Sequence, residues 1–387
     1  MRSLGFTGSN EVSLLQSGAE YFPAMTAAFD AAVREIYLET YIFALDDTGN
    51  AIREALHRAA RRGVAVYVIT DWHGTGRTAT NTLERDFAAA GVYFRSFNPW
   101  FCRGVARTHR KMCVVDRHIA FVGGLNIIDD LRDDSFPHVL LPAPRWDFAV
   151  SIHGPLATVI HLELETQWSR LGKLNLKARW RRFKTLRSTF ATASQSPALA
   201  ALVIRDNLRN RRTIQRAYLH AIGRAHKSVL LANPYFAPGR KLRKALERAA
   251  ERGLDVTLLL GVGQFRMQDA VAHSYYPKLL KHGVKIVEYN KTQLHGKVAV
   301  VDDQWATVGS SNCDGLSLFV NQEANIVVQD ADFAQALRLQ IEAGVARGVP
   351  VDQAEFANKP WYLRFWYGAA FMLYAGVLRA ITLGKYA

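Results

Sequence analysis

The sequence predicts an α/β protein in which one structural unit occurs twice. Three observations predict this class: a short motif is duplicated, a similar small-residue turn follows each copy, and a strand-helix-strand pattern precedes each copy. The motif, His-x-Lys-x-x-x-x-Asp, lies at 109–116 and 295–302, and the turns lie at 123–126 and 309–312. A repeat of this kind indicates a tandem pair of similar domains.

The strand-helix-strand pattern has the same order and helical spacing in both halves. Apolar runs at 36–38 and 64–69 flank one helical stripe, and runs at 229–231 and 254–260 flank the other. Each helix should end at an Arg-Gly pair, because glycine adopts the left-handed backbone there without a Cβ penalty. The stripes and their terminal pairs are Ile52, Leu56, Ala59, Ala60 with Arg62-Gly63, and Leu242, Leu246, Ala249, Ala250 with Arg252-Gly253. Such an order predicts largely buried strands covered by helices.

The histidine and lysine of each motif are predicted to face the same way. Apolar residues follow them, which favours a strand, and residues i and i+2 of a strand share one face. Asp116 and Asp302 fall at the strand ends, where turn residues are expected before return strands at 119–122 and 305–308. A lone strand histidine is usually structural. Two in matched context predict one composite active site.

Two histidines and two lysines suit the cleavage of a phosphodiester. This bond carries negative charge and has a poor alkoxide leaving group, so its cleavage needs a nucleophile, a proton donor and charge neutralisation. One neutral imidazole can attack phosphorus while the other, protonated, donates to the leaving oxygen. The lysines can stabilise charge on the non-bridging oxygens. The predicted catalytic residues are His109, Lys111, Asp116, His295, Lys297 and Asp302.

Four further residues complete the predicted site. Asn126 and Asn312 end the two turns and can donate amide hydrogen bonds to phosphate oxygens. Asp147 and Glu323 follow the two motifs at similar intervals and can orient the imidazoles and stabilise their cationic forms. The scheme requires neither a metal ion nor a cofactor.

Composition and charge describe a folded protein with an anionic partner. Of 387 residues, 49% are apolar and 21% are charged, and the length is sufficient for two domains. Three cysteines indicate a reducing compartment without a disulfide framework, and their spacing does not suit zinc. No apolar secretory signal is evident at the N-terminus, so we expect a cytosolic location. The net charge of +15 favours anionic polymers or anionic membrane surfaces.

Two stretches of the chain have an unusual composition. The segment 166–205 has no acidic residue and interleaves basic with apolar residues, which is typical either of an amphipathic surface segment or of a solvated inter-domain linker. Near the C-terminus, residues 365–378 are uncharged, which is too short for a hydrocarbon core of roughly 30 Å. Aromatic residues with flanking arginines favour a position at the membrane interface there. The alternative is a terminal helix that packs on the protein core.

At these residues the chain resembles the phospholipase D superfamily. The segments that support the resemblance lie at 39–43, 109–126, 233–236 and 294–325, and it extends over nearly the whole chain. The chain is most similar to the shorter, B-type bacterial cardiolipin synthases, which lack N-terminal transmembrane helices. The resemblance implies two α/β/α units related by a pseudo-twofold axis, with His109 as nucleophile and His295 as general acid and then base. The symmetry of the sequence alone leaves these two roles interchangeable.

The resemblance also implies a reaction and a location. A phosphatidyl group would pass from one phospholipid to another, with two phosphatidylglycerols giving cardiolipin and glycerol, or with phosphatidylethanolamine as a partner. The expected location is the cytoplasmic face of a bacterial membrane, in contact with anionic lipids such as phosphatidylglycerol and cardiolipin. The alternatives are a hydrolase of the phospholipase D type and a nuclease or other phosphodiesterase, although nucleic acid does not explain the aromatic tail. The sequence does not determine the oligomeric state.

The expected domain order follows from the repeat and the two unusual stretches. It comprises a first motif domain, a basic segment, a second motif domain and an interfacial tail, at 1–168, 169–204, 205–350 and 351–387.

Overall fold

The computed structural model describes residues 5–102, 104–133, 138–172, 198–207 and 210–382. These residues form two mixed β-sheets with helices, and the strands of each sheet come from one half of the chain. The predicted α/β class with a tandem repeat is therefore confirmed.

The first sheet has seven strands in the order β1-β7-β6-β5-β2-β3-β4. Strands β2, β3 and β4 run parallel, whereas β5, β6, β7 and β1 continue the sheet with antiparallel pairing. The strands are β1 (Glu11–Gln16), β2 (Glu35–Thr40), β3 (Ala65–Asp71), β4 (Tyr93–Phe97), β5 (Met112–Val115), β6 (Ile119–Gly123) and β7 (Phe148–His153).

The second sheet repeats this arrangement and adds one short edge strand. Its order is β15-β11-β10-β9-β12-β13-β14-β8, so that β8 corresponds to β1, β12 to β5 and β14 to β7. The strands are β8 (Leu199–Arg205), β9 (Ser228–Asn233), β10 (Asp255–Gly261), β11 (Lys285–Tyr289), β12 (Val298–Val301), β13 (Trp305–Gly309), β14 (Glu323–Gln329) and β15 (Val349–Pro350).

The helices connect and cover the two sheets. In the first half they are α1 (Ser17–Ala31), α2 (Asp47–Arg61), α3 (Trp72–Thr75), α4 (Arg77–Ala89) and α5 (Pro155–Leu171). In the second half they are α6 (Thr213–Arg224), α7 (Arg240–Glu251), α8 (Arg266–Lys281), α9 (Gly315–Phe319), α10 (Ala331–Arg347), α11 (Gln353–Ala357) and α12 (Trp361–Ile381).

The predicted helical stripes lie on α2 and α7 and face the core. Ile52 and Leu56 of α2 are buried, as are Leu242 and Leu246 of α7. The glycines that follow both helices, at 63 and 253, have positive φ angles of 89° and 86°. This backbone agrees with the predicted helix ends, because a side chain in that conformation would be strained.

The apolar core has three layers. One outer layer lies between the first sheet and helices α1, α2 and α4, and another lies between the second sheet and α6, α7 and α8. The central layer contains side chains from both sheets together with α5 and α10. The two halves therefore share one continuous apolar interface, which fixes the relative position of residues at the sheet edges.

The second sheet begins earlier in the chain than the predicted boundary at 205. Strand β8 pairs along its whole length with β14 and ends at that residue. Helix α5 extends to Leu171, beyond the predicted end of the first domain at 168. Most of the predicted basic segment, from 173 to 197, lies outside the described residues.

Helix α12 packs along α8 and leaves its other side exposed. Tyr367 and Ala370 are buried, and Phe371 lies against Tyr275 of α8. Trp361 and Phe365 are each 72% exposed. Within the described part of the chain, no helix combines the length and apolarity needed to cross a bilayer. One face of the helix thus packs on the protein core, which was the alternative expectation for the tail, and the opposite face presents exposed aromatic residues.

Candidate active site

The two motifs meet at the edges of the two sheets. Each histidine and lysine lies in the extended segment that leads into β5 or β12. Main-chain hydrogen bonds connect these segments across the halves: the N–H of His109 donates to the carbonyl of Gln322 at 2.9 Å, and the N–H of His295 donates to that of Trp146 at 2.9 Å. The equivalent contacts on both sides give the site its twofold character.

Each imidazole binds a carboxylate from the other half of the chain. His109 Nδ1 lies 3.1 Å from Glu323 Oε2, at the start of β14. His295 Nδ1 lies 2.5 Å from Asp147 Oδ2, just before β7. Because Nδ1 of each ring faces an acceptor, Nδ1 has to bear a proton, so that a neutral ring has its lone pair on Nε2. The two histidine–carboxylate pairs are therefore crossed between the halves of the chain.

The two lysines occupy equivalent positions. Lys111 Nζ donates to the carbonyl oxygen of His109 at 2.8 Å, and Lys297 Nζ donates to that of His295. Both lysine side chains are almost completely buried. They place two ammonium groups beside the two imidazoles, where an anionic phosphate would be favoured.

The electrostatics of the site favour a neutral His109 beside ionised carboxylates. Burial lowers the pKa of His109, and the two lysine ammoniums lower it further against the opposing effect of Glu323. Burial alone would raise the pKa of Glu323 and of Asp147. The cationic side chains nearby outweigh it and hold both values below the usual range. A neutral imidazole with a free lone pair is the form that a nucleophile needs.

The two carboxylates differ in their surroundings. A Cβ at Gly124 would come within 2.2 Å of Asp147 Oδ1, so this close approach requires glycine. At the equivalent place in the second half is Ser310, whose hydroxyl donates to Glu323 Oε2 at 2.5 Å. The sequence makes the site symmetric in outline and asymmetric in its hydrogen bonding.

The two asparagines lie beyond the ends of β6 and β13. Asn126 Oδ1 accepts the main-chain N–H of Ile42 at 3.3 Å, which fixes the orientation of its amide. Asn312 is 5% exposed, and its Oδ1 has no hydrogen-bond partner among the described residues. Both amides are at the sheet edge that holds the histidines.

The two aspartates of the motif are not part of this cluster. Asp116 and Asp302 follow β5 and β12, five residues after the lysines, which is roughly 16 Å along an extended chain at about 3.3 Å per residue. The carboxylate of Asp116 accepts the main-chain N–H groups of residues 33–35, and that of Asp302 accepts those of residues 226–228. This placement corrects the predicted catalytic grouping, since strand geometry separates position 8 of the motif from positions 1 and 3.

Replacing Asp302 by alanine is expected to destabilise the fold by about 1–2 kcal/mol, because three main-chain donors lose a charged acceptor. Those N–H groups outweigh the effect of burial and lower the pKa of Asp302. Its stabilising contribution is therefore present above the usual carboxyl pKa and lost as the pH falls through the lowered value. Urea unfolding measures both effects. The neighbouring Asp303→Ala variant, which loses only an exposed pair with Lys227, should keep the wild-type midpoint; an equal loss in both variants would contradict the assignment.

Residues outside the two motifs support the segment before β5, and the motif pattern does not indicate them. Arg110 is buried between Glu39 and Glu163, which it contacts at 3.0 and 2.7 Å. The ring of Tyr41 lies 5.0 Å from that of His109, centre to centre. Glu39 and Tyr41 both belong to the run at 39–43, which supports the family resemblance. That run is the sequence signal for these supporting residues.

The fold and the paired histidines are those of a known protein family. Residues 25–131 and 218–343 match the family model described as "Cardiolipin synthase, PLD-like domain". The chain belongs to this family, which confirms the resemblance to the phospholipase D superfamily.

Individual proteins similar to this chain include two bacterial cardiolipin synthases. The chain is 36% identical over 364 residues to "Cardiolipin synthase B" of Escherichia coli strain K12, covering 91% of this chain and 85% of the relative. It is 28% identical over 345 residues to "Cardiolipin synthase" of Clostridium perfringens, covering 87% and 70%. The solved structure of phosphatidylserine synthase from Haemophilus influenzae matches its fold with a TM-score of 0.71 at 15% identity, covering 98% and 97%.

Proposed function

We propose that this chain is a cardiolipin synthase that transfers a phosphatidyl group from one phosphatidylglycerol to another, releasing glycerol. The observation that supports this most directly is the crossed pairing of two imidazoles with two buried carboxylates beside two lysines. The cardiolipin synthase relatives support the lipid substrate.

In the first step, His109 Nε2 attacks the phosphorus of the donor lipid. The new N–P bond forms as the bond from phosphorus to the glycerol oxygen breaks, and protonated His295 donates its Nε2 proton to that oxygen. Asp147 stabilises the cationic form of His295 before the transfer. Lys111 and Lys297 stabilise the negative charge on the non-bridging oxygens, with amide donors from Asn126 and Asn312.

In the second step, His295 acts as a base. It takes the proton from the terminal glycerol hydroxyl of the acceptor lipid, whose oxygen forms a bond to phosphorus as the bond to His109 Nε2 breaks. Glu323 holds the proton on His109 Nδ1 throughout, so that the leaving imidazole is neutral. The first step leaves His295 neutral and therefore ready for the second.

The test is a product assay with purified protein and phosphatidylglycerol vesicles. Cardiolipin and glycerol in equal amounts are expected. Phosphatidic acid as the sole lipid product would indicate a hydrolase, and cleavage of labelled DNA with no lipid product would indicate a nuclease. Adding phosphatidylethanolamine to the vesicles tests it as a partner lipid.

The proposal also locates the enzyme at the cytoplasmic surface of a bacterial membrane, attached through the exposed face of α12. Trp361, Phe365 and Met372 are 72%, 72% and 69% exposed on this face, and Arg364 and Arg379 flank the uncharged stretch. Aromatic and basic residues together suit the headgroup region of an anionic bilayer. The reduced, buried Cys113 and Cys313 agree with a cytoplasmic location.

Replacing Trp361 and Phe365 by serine is expected to weaken binding to phosphatidylglycerol vesicles by about tenfold or more, because two large apolar side chains no longer enter the interface. Deleting α12 is a poorer test, since that would expose its contact with α8. Sedimentation with liposomes measures binding. The control variant Val33→Ser with Leu339→Ser alters exposed apolar residues elsewhere; equal losses in the two variants, or none in either, would refute the anchor.

A further inference from the structure

A cavity of about 420 Å³ lies where the C-terminal end of α12 meets the loop that precedes the first motif. Its apolar residues are Val105 of that loop, Phe319 at the end of α9, Val320 after it, and Ile381 of α12. The last of these residues belongs to the helix whose exposed face is proposed to lie on the membrane. The cavity therefore adjoins the C-terminal end of the proposed membrane-binding helix.

Three arginines give this cavity a basic lining. Arg205 is 2% exposed, and its guanidinium donates to the carbonyl oxygens of Phe319 and Asn321, while its Nε has no partner within the part of the chain that the structure describes. Among the described residues, no carboxylate lies within ion-pair distance of it. Burial lowers its pKa to about 10, still well above neutrality, so the charge remains. Arg211 and Arg212 are exposed and line the same cavity.

A helix N-terminus adds to this positive potential. Helix α6 begins at Thr213, immediately after Arg212, and none of the described side chains caps it. The free N–H groups of a helix N-terminus favour anions. Together with Arg205, Arg211 and Arg212, they make this a place where an anionic group is favoured beside apolar walls.

The cavity adjoins the catalytic segments. Arg205 is the ladder partner of Glu323, the carboxylate that binds His109. The N–H of Gln322 donates at 2.8 Å to the carbonyl of Arg107, the residue after the cavity-lining Ala106. Arg205 in the wall of the cavity and Glu323 beside His109 therefore lie opposite each other on the neighbouring strands β8 and β14.

The proposed reaction needs a binding position for the phosphate of the acceptor lipid, close to the two histidines. The acceptor phosphatidylglycerol has its own phosphate, separated from its reacting hydroxyl by the three carbons of glycerol. That phosphate stays intact while the hydroxyl attacks at His109. It therefore has to be held close to the imidazoles, but not between them.

From these observations we propose that the cavity lined by Arg205, Arg211 and Arg212 binds the acceptor phospholipid, its phosphate against the arginines and its acyl region along Val105, Phe319, Val320 and Ile381. This inference rests on the proposed function, because an acceptor lipid exists only in a transfer reaction. The donor phosphate would occupy the separate position between the two histidines.

The number of bound lipids tests the proposal. Dihexanoylphosphatidylglycerol, a short-chain lipid, is titrated below its micelle concentration into a His109→Asn variant, which prevents turnover, and calorimetry gives the stoichiometry. Two molecules per chain are expected. Adding Arg211→Gln and Arg212→Gln should weaken one of them by about tenfold or more, because charge-assisted contacts to phosphate are lost. Adding Arg61→Gln and Arg248→Gln, which removes the same charge from exposed helix ends, should leave both sites unchanged.

Each alternative result is decisive. A single site in the His109→Asn variant, or two unchanged sites after the Arg211 and Arg212 substitutions, would overturn the proposal. Displacement of the second lipid by an equal concentration of inorganic phosphate would overturn its assignment to a phospholipid, since phosphate does not use the apolar walls. The product assay with the wild-type chain is a separate result: no cardiolipin there would refute the proposed function, whereas the stoichiometry reports on the cavity itself.

Discussion

Replacing His109 by alanine is expected to abolish lipid transfer, with kcat lowered by about 10⁴-fold or more, because no nucleophile remains to form the covalent intermediate. His109 has the features of that nucleophile: its Nδ1 proton is held by Glu323, and its pKa is lowered by burial and by two lysines. The measurement is cardiolipin formation from phosphatidylglycerol vesicles.

The corresponding His295→Ala variant distinguishes the two roles. It should also lose turnover, but His109 remains able to attack a lipid with a better leaving group, such as a phosphatidyl nitrophenol. Rapid quenching should then trap a chain carrying a phosphatidyl group on His109 in the His295→Ala variant and none in the His109→Ala variant. The opposite pattern would reverse the assignment of nucleophile and acid. Substantial turnover in either variant would refute the proposal of one composite site.

Replacing Glu323 by glutamine is expected to lower kcat by about 10²- to 10⁴-fold, because an amide keeps the shape of the carboxylate but cannot stabilise positive charge on His109. The pKa of Glu323 is held below its usual range in the folded chain, so the wild-type residue stays ionised at neutral pH and in weak acid. Loss of this charge should lower the pKa of His109 further. A pH titration of the His109 ring by NMR measures that shift.

The crossed pairing makes this test specific. The Glu323→Gln change should shift the titration of His109, although the nearer motif in the chain is that of His295. The Asp147→Asn variant is the matched control and should affect His295 instead. If each substitution altered the histidine of its own half, the crossed arrangement would be wrong for the protein in solution.

Much of the fold could be predicted from the sequence because its signals are local. The stripe of Ile52 and Leu56 on α2 and the glycine at 63 depend only on helical geometry, and the structure agrees with both. The apolar runs that form β2 and β3 depend only on strand burial. The early start of the second sheet at β8 depends on pairing with β14, more than a hundred residues later, which no local pattern indicates.

The site could be predicted in its residue types but not in its connections. Asp147 and Glu323 were expected behind the imidazoles, yet their exchange between the halves follows from the packing of one sheet against the other. Asp116 was grouped with His109 because both belong to one motif, whereas the length of β5 separates them. The distance between two residues of a motif depends on the conformation of the chain between them, which the motif pattern alone does not specify.

The two imidazoles bind different acids, Asp147 and Glu323, because the two halves belong to one chain and can differ in sequence. Two identical copies of the unit, associated as a symmetric dimer, would be obliged to present the same acid beside each ring. Joining both copies in one polypeptide removes that obligation, so one position can hold aspartate over Gly124 and the other glutamate beside Ser310. Covalent fusion thus allows a divided chemistry, one ring for attack and one for proton transfer, that a self-associating half-length ancestor could not encode in a single gene.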